Sequence, residues 1–226
     1  MRLLVIDTAL ATCAAAVYES ETDELLAQEA IPMERGHAEA LMPLIARVMD
    51  YARSDFSELD RIAVTVGPGS FTGLRVGISA ARGIALTCGK PAVGVSTLAA
   101  FAAPCIAEDL AQKTIAAIDA RHGHAYMQVF GEGGFTELAA AYVPLHQALD
   151  YVGGEVHLSG NVAAQIAALW PEGEPAPFQF RGAPSPDLGW VARLGHAADP
   201  ETAPAKPLYL RAPDAKPQDH AHVARR

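Results

Sequence analysis

Cations are scarce in this chain. Against 26 Asp and Glu it carries 17 Lys and Arg, a formal net charge of −9 over 226 residues. No cluster of Lys or Arg precedes the terminal Arg225-Arg226, so the chain lacks the basic face with which a protein grips RNA by itself. A local contact with RNA stays open. Cysteine is equally sparse. Cys13, Cys88 and Cys105 are odd in number and widely spaced, which excludes a disulfide framework and suits reduced thiols in a cytoplasm. Cys13 in a strand pattern and Cys88 at the end of a helix pattern read as packing residues. No Cys pair has metal-ligand spacing. No apolar run reaches the roughly 18 residues of a membrane span, and the opening MRLLVIDTAL runs straight into a strand pattern rather than a signal peptide.

The familiar catalytic signatures are missing too. No Gly-Lys-Ser/Thr triplet marks a Walker A loop, and Thr72 stands where a Rossmann fingerprint begun at Gly67 needs glycine. There is no Gly-x-Ser-x-Gly nucleophile elbow around Gly67 and Gly69. The segment HAEAL at residues 37–41 is not His-Glu-x-x-His, so a zinc protease lacks its second ligand. His37 is expected as a cap or surface residue. His122 and His124 lie two apart in a turn pattern with no third ligand.

What is present is half of the residues in the hydrophobic class, enough for a substantial core. The most informative stretch is RIAVTVGPGSFTGLRVGISAARGIALT at residues 61–87. An apolar strand from Ile62 to Val66 stops at Gly67-Pro68-Gly69. Ser70 can cap the helix that follows, and Leu74, Ile78, Ala81 and Ala85 recur along one of its faces. Gly73 and Gly77 each cost about 1 kcal/mol against Ala inside a helix, so another backbone is expected to come very close. A turn feeding a helix is also the frame of a phosphate cradle, but Pro68 has no N–H to offer an anion.

The chain repeats its own plan. Strand patterns at Leu3–Asp7, Cys13–Tyr18 and Leu25–Ile31 precede a helical segment near 38–52 with Leu41, Leu44, Ile45 and Val48 on its apolar side. Pro43 must sit in the first turn of that helix or kink it. From Lys113 the order recurs, with strands Ile115–Asp119, Ala125–Phe130 and Phe135–Val143. A short helix near Pro144–Tyr151, strand Val156–Leu158 and helix Val162–Leu169 follow. Repetition of strand–strand–strand–helix–strand–helix points to internal duplication, an α/β arrangement with a mixed sheet and packed helices in each half. The expected division is residues 1–110 and 111–212. Asp187–Ala197 reads as a further helix, the chain beyond Pro200 as extended, and residues 213–226 as a disordered tail.

The motif GPGSFTGLRVGISAARGIAL resembles the signature of the TsaB (YeaZ) family of bacterial tRNA threonylcarbamoyladenosine biosynthesis proteins, within the TsaD/Kae-type glycoprotease-like (M22) group. LLVIDTALATCAAAV, GHAEALMPLI, IDARHGHAYMQVF and PLYLR agree with it, so the likeness covers most of residues 1–211. The resemblance implies the duplicated actin-like and Hsp70-like ATPase (ASKHA) fold. It implies a cytoplasmic, non-catalytic subunit without catalytic residues of its own. That subunit supports the partners TsaD, which holds the chemistry and a metal, and TsaE, an ATPase, in threonylcarbamoyl transfer to the adenosine beside the anticodon of ANN-decoding tRNAs. RNA would then be met through the complex. The helices 38–52 and 70–87 would pair with their counterparts in TsaD through Leu41, Ile45, Val48, Gly73, Leu74, Gly77 and Ile78. The loop Gly67, Pro68, Gly69, Ser70, Phe71 and Thr72 would lie at the junction. The related catalytic subunit holds metal with His-x-x-x-His, but here Leu41 follows His37 by four.

In nucleotide-binding relatives of the fold, an Asp at the position of Asp7 approaches magnesium, and glycines at the position of Ser159-Gly160-Asn161 admit adenosine. Here the turn Thr8–Thr12 has no glycine, Gly160 stands alone, and side chains at Ser159 and Asn161 are expected to narrow the approach. Asp7, Thr8 and Gly160 read as capping and turn residues, or as a vestigial nucleotide site. Neither metal nor cofactor is expected on the isolated chain, while ATP or ADP at a shared interface stays open. The rival readings are an autonomous ATP-dependent phosphotransferase, an M22-type peptidase, and a homodimer using the same helices on itself.

Overall fold

A computed structural model describes residues 1–151 and 154–211; the tail expected at 213–226 lies outside them. The first half runs β1 (Arg2–Asp7), β2 (Thr12–Glu19), β3 (Glu24–Pro32), α1 (His37–Tyr51), β4 (Arg61–Gly67), α2 (Phe71–Cys88), β5 (Ala92–Ser96) and α3 (Thr97–Glu108). The second runs β6 (Lys113–Asp119), β7 (His124–Phe130), β8 (Thr136–Pro144), β9 (Val156–Ser159), α4 (Ala163–Ala168), β10 (Gln179–Arg181) and α5 (Leu188–Ala197). The two sheets have orders β3-β2-β1-β4-β5 and β8-β7-β6-β9-β10. Each is antiparallel through its first three strands and parallel through the rest, with Ile6 opposite Ala15 and Val64, and Ala116 opposite Gln128 and Ser159. This is the duplicated actin-like plan, a mixed sheet with packed helices in each half.

Period-two alternation sorts the first sheet's side chains onto two faces. Leu4, Ile6, Val17, Ile62 and Val64 meet α1 and α2. Leu3, Val5, Ala14, Ala16 and Ala63 meet Leu188, Val191 and Ala192 of α5. In the second sheet Ile115, Val129 and Leu158 meet Ile166 of α4, and Ala116, Ile118 and Phe130 meet Leu98, Phe101 and Ala102 of α3. The expected division at 110/111 coincides with the boundary between the two sheets. The strands divide there, but the helices cross: α3 packs on the second sheet through Leu98, Phe101 and Ala102 while its Ala100 joins the first sheet's core, and α5 returns to cover the first.

The return is fastened. The Arg61 guanidinium donates from Nη1 to the carbonyls of Gly195, His196 and Ala198 at 2.8, 2.8 and 2.7 Å, at the C-terminal end of α5. Arg193 pairs with Asp23 of the β2–β3 turn at 2.8 Å. Beyond Pro200 the chain follows the first sheet's edge, where Gly94 donates to the Ala203 carbonyl at 2.9 Å and Leu208 to that of Val66 at 2.8 Å. Pro43 lies within α1 beyond its first turn.

Candidate functional site

Ser70 caps α2 by accepting from the Gly73 N–H at 3.3 Å. The helix packs so tightly on the β1–β2 turn that a Cβ at Gly73 would collide with the Thr8 carbonyl oxygen, and one at Gly77 with Thr8 Oγ1. The close backbone that these glycines admit thus belongs to their own chain. Thr8 Oγ1 donates to the Gly73 carbonyl at 2.7 Å, and Ser70 N–H to the Ala9 carbonyl at 2.7 Å. The loop Gly67–Thr72 packs on the same turn, where a Cβ at Gly69 would collide with the Ala9 carbonyl oxygen. Gly67 and Pro68 are buried, while Ser70, Phe71 and Thr72 are exposed.

Asp7 lies beneath this turn with no exposed surface. Its Oδ1 accepts from Thr65 Oγ1 at 2.6 Å and from the Ala9 N–H at 3.1 Å, while its Oδ2 is buried without a partner. Burial raises its pKa, and the bonds from Thr65 and Ala9 oppose the rise. A carboxyl turned onto its own turn does not fit the magnesium role that the fold's nucleotide-binding members give this position. His37 is corrected as well. It is buried, with Nε2 3.3 Å from the Leu10 carbonyl oxygen, because the start of α1 tucks under the same turn.

In the second half Gly160 has φ +103°, and a Cβ there would strike the Ala117 carbonyl. Ser159 does not narrow the approach as expected. It is buried, and its hydroxyl donates to the Phe101 carbonyl at 2.6 Å. Asn161 Oδ1 accepts from the Asp119 N–H, and Asp119 Oδ1 from the Arg121 N–H, both at 2.8 Å. These bonds hold a turn in which Arg121, His122 and Gly123 have φ of 66°, 52° and 72°.

Two concavities result. One, of about 540 Å³, lies between α1 and α2 and is lined by Ala38, Leu41, Met42, Phe71, Arg75 and Val76 among others. Leu41, Ile45, Val48, Gly73, Leu74, Gly77 and Ile78 are the residues expected at a partner contact. All are buried against the first sheet or the Thr8 turn. The exposed rim is made by Met42 at 49 % and Phe71 at 37 %, with Arg75 and Ser79. The other concavity, a polar cleft of about 660 Å³, lies between the halves. Its walls include Ala9–Ala11, Glu34 and Arg35, Pro68–Thr72, Asp119–His122 and Leu208–Arg211. Phe71 and Thr72 belong to both. Tyr209 packs on Phe71 with centroids 5.3 Å apart, Arg75 Nε donates to its hydroxyl at 3.1 Å, and the Arg75 guanidinium lies 3.8 Å over the Phe71 ring. Of this clasp the sequence reading singled out Phe71 alone; the motif PLYLR was the signal for Tyr209. Among the described residues no three His, Cys, Asp or Glu side chains gather as a metal site, and no helix is long and apolar enough to cross a membrane.

A family model described as TsaD, tRNA N6-adenosine threonylcarbamoyltransferase, matches residues 24–183. The chain is 36% identical over 126 residues to the tRNA threonylcarbamoyladenosine biosynthesis protein TsaB of Escherichia coli, a match spanning 56% of this chain and 53% of that protein. It is 34% identical over 219 residues to an uncharacterized protein of Mycobacterium tuberculosis, covering 95% and 94% of the two. Among solved structures it is similar to YeaZ from Pseudomonas aeruginosa, with a TM-score of 0.74 at 26% identity over 92% of this chain and 99% of that one.

Proposed function

The chain belongs to the tRNA N6-adenosine threonylcarbamoyltransferase (TsaD) family, and from that membership we propose that it serves tRNA threonylcarbamoyladenosine biosynthesis as a non-catalytic partner of TsaD. In this reading it is a TsaB-type subunit that holds TsaD in its competent form, with TsaE joining near the loop Gly67–Thr72. The observation that carries it is the groove between α1 and α2. An apolar concavity rimmed by exposed Met42 and Phe71 suits helix-on-helix docking, in which apolar area leaves water. The inward bonds of Asp7 and the engagement of the turn above it by the loop Gly67–Thr72 weigh against the rival phosphotransferase. The same features support an isolated chain without resident nucleotide or metal. ATP or ADP would then enter only at a surface completed by a partner.

Mixing the purified chain with TsaD and following mass by light scattering tests this. A heterodimer is expected. Met42→Glu and Val76→Glu should weaken it at least tenfold, because each puts a charge where apolar surface is to leave water. Both variants should keep the melting temperature within about 4 °C of the parent. Exposed Arg82, outside the groove, is the control, and Arg82→Glu should assemble normally. A chain that doubles its own mass and ignores TsaD would replace this reading with the homodimer. Groove variants that assemble like the parent would remove the groove from it.

A further inference from the structure

We propose that the mouth of the interdomain cleft is where this chain touches RNA, with Arg35, Arg121 and His122 on the phosphate backbone and Tyr126 and Tyr209 beside the bases. The inference rests on the tRNA reading above for the identity of the polyanion; the site itself rests on the cleft.

Charge placement is the first observation. In a chain of net charge −9, three arginines and a histidine line one cleft, against Glu34 and Asp119. Arg2, Arg47, Arg181 and Arg193 are each paired with a carboxylate. Arg211 lies over the Tyr142 ring at 5.2 Å. Arg35 and Arg121 are exposed and have no ion pair among the described residues; Arg53, Arg82 and Lys206 share that state outside the cleft, so what sets Arg35 and Arg121 apart is their place on it. They stand on opposite walls, one before α1 and the other in the β6–β7 turn, so a strand laid across the mouth meets both halves. One carboxylate of the cleft is already engaged, since Asp119 Oδ1 accepts from the Arg121 N–H.

The second observation is the backbone that presents Arg121 and His122. Both are left-handed, a conformation costing a residue with a Cβ on the order of 1–2 kcal/mol. It is held from below by Asn161 and Asp119. From the side, His124 Nδ1 lies 3.0 Å from the His122 carbonyl oxygen, and its ring stacks on Tyr142 at 4.7 Å. Asn or Gly would occupy such a turn with less strain. Arg53, with φ of 49°, is left-handed too but outside the cleft, so it is the coincidence of strain and cleft at Arg121 and His122 that points to used side chains.

The third observation separates a strand from a small nucleotide. The turn above Asp7 is tied to the loop Gly67–Thr72 through the Ser70 N–H to Ala9 carbonyl bond, so its backbone is engaged within the chain, whereas the cations stand exposed at the mouth. Exposed arginines with aromatic rings nearby fit single-stranded RNA, whose phosphates pair with guanidinium groups and whose splayed bases stack on tyrosine.

Fluorescence anisotropy of a labelled anticodon stem-loop tests the inference, using the full chain alone and mixed with TsaD over a range of salt. Arg35→Ala/Arg121→Ala should weaken binding about tenfold and lower the slope of log affinity against log salt by about 1.4, two single-strand phosphate contacts. Arg121→Gly removes the cation and relieves the positive φ, so it should weaken RNA binding while melting no lower than the parent. Arg82→Ala should bind as the parent does. Unchanged affinity and slope in the double variant, or no RNA binding in either form, overturns the inference. So does tight ATP binding that is lost in the double variant while RNA binding stays, which makes the cleft a nucleotide site. Light scattering separates the two readings. A parent chain that joins TsaD while the variants bind RNA normally sinks only this inference. A parent that ignores TsaD while the variants lose RNA sinks only the pairing.

Discussion

Asp7 carries one oxygen that is satisfied twice and one that meets nothing. Burial raises its pKa above the ordinary 3.8, so the folded chain holds this proton more tightly than the unfolded one. Its contribution to stability is therefore complete at low pH and declines as pH rises above about 4 through the raised value. Asp7→Asn keeps an oxygen for Thr65 and Ala9 and has no proton to lose. Thermal melts at pH 7, 5.5 and 4 should show the parent gaining on the variant as the solution is acidified. A parent that loses ground on acidification would mean that the ionised carboxylate is the stabilising form. The turn bond from Ala9 to Asp7 was legible in the sequence because it spans two residues. The burial of His37 was not, since its cover is Leu10, 27 positions away. The spacing of Leu41, Ile45, Leu74 and Ile78 gave an apolar face but not what lies against it. Their own sheet had the first claim on it.

Helix α5 shows how one side chain can close an element. Its start is capped by Asp187, whose Oδ1 accepts from the Trp190 N–H at 3.1 Å. Its end is closed by Arg61, a nearly buried guanidinium reaching three carbonyls from the neighbouring strand. Arg61→Met keeps much of the apolar stem and leaves those carbonyls in a crevice without donors. A loss of about 3 kcal/mol is expected, read in urea as a lower midpoint with an unchanged slope. A change under about 0.5 kcal/mol would show that water replaces the guanidinium. The helix itself was legible from Leu188, Val191 and Leu194 at helical spacing. Its closure was not, because an arginine at the head of a strand looks like any solvated residue. Strand β5 and helix α3 escaped the sequence reading entirely. Thr97–Glu108 is apolar around most of its circumference and contains Pro104, so no periodic stripe marks it.

Duplication of the whole plan was legible because the same order of patterns occurs twice. The exchange of helices was not, since no local signal says which of two sheets an amphipathic segment will cover. The exchange makes the halves interdependent. A fragment ending at residue 110 would leave Leu3, Val5, Ala16 and Ala63 without Leu188 and Val191, and would bare the inner face of α3. That fragment should be insoluble or lack a cooperative melt, while adding residues 186–211 in trans should recover solubility in part. A fragment 1–110 that melts cooperatively by itself would contradict this. The same crossing sets an order in time. Synthesis runs from the N-terminus, so the first sheet is made early but stays uncovered on one side until about residue 197 has left the ribosome. For most of translation the nascent chain carries an open apolar sheet, and its exposure to chaperones and to aggregation is greatest just before α5 arrives.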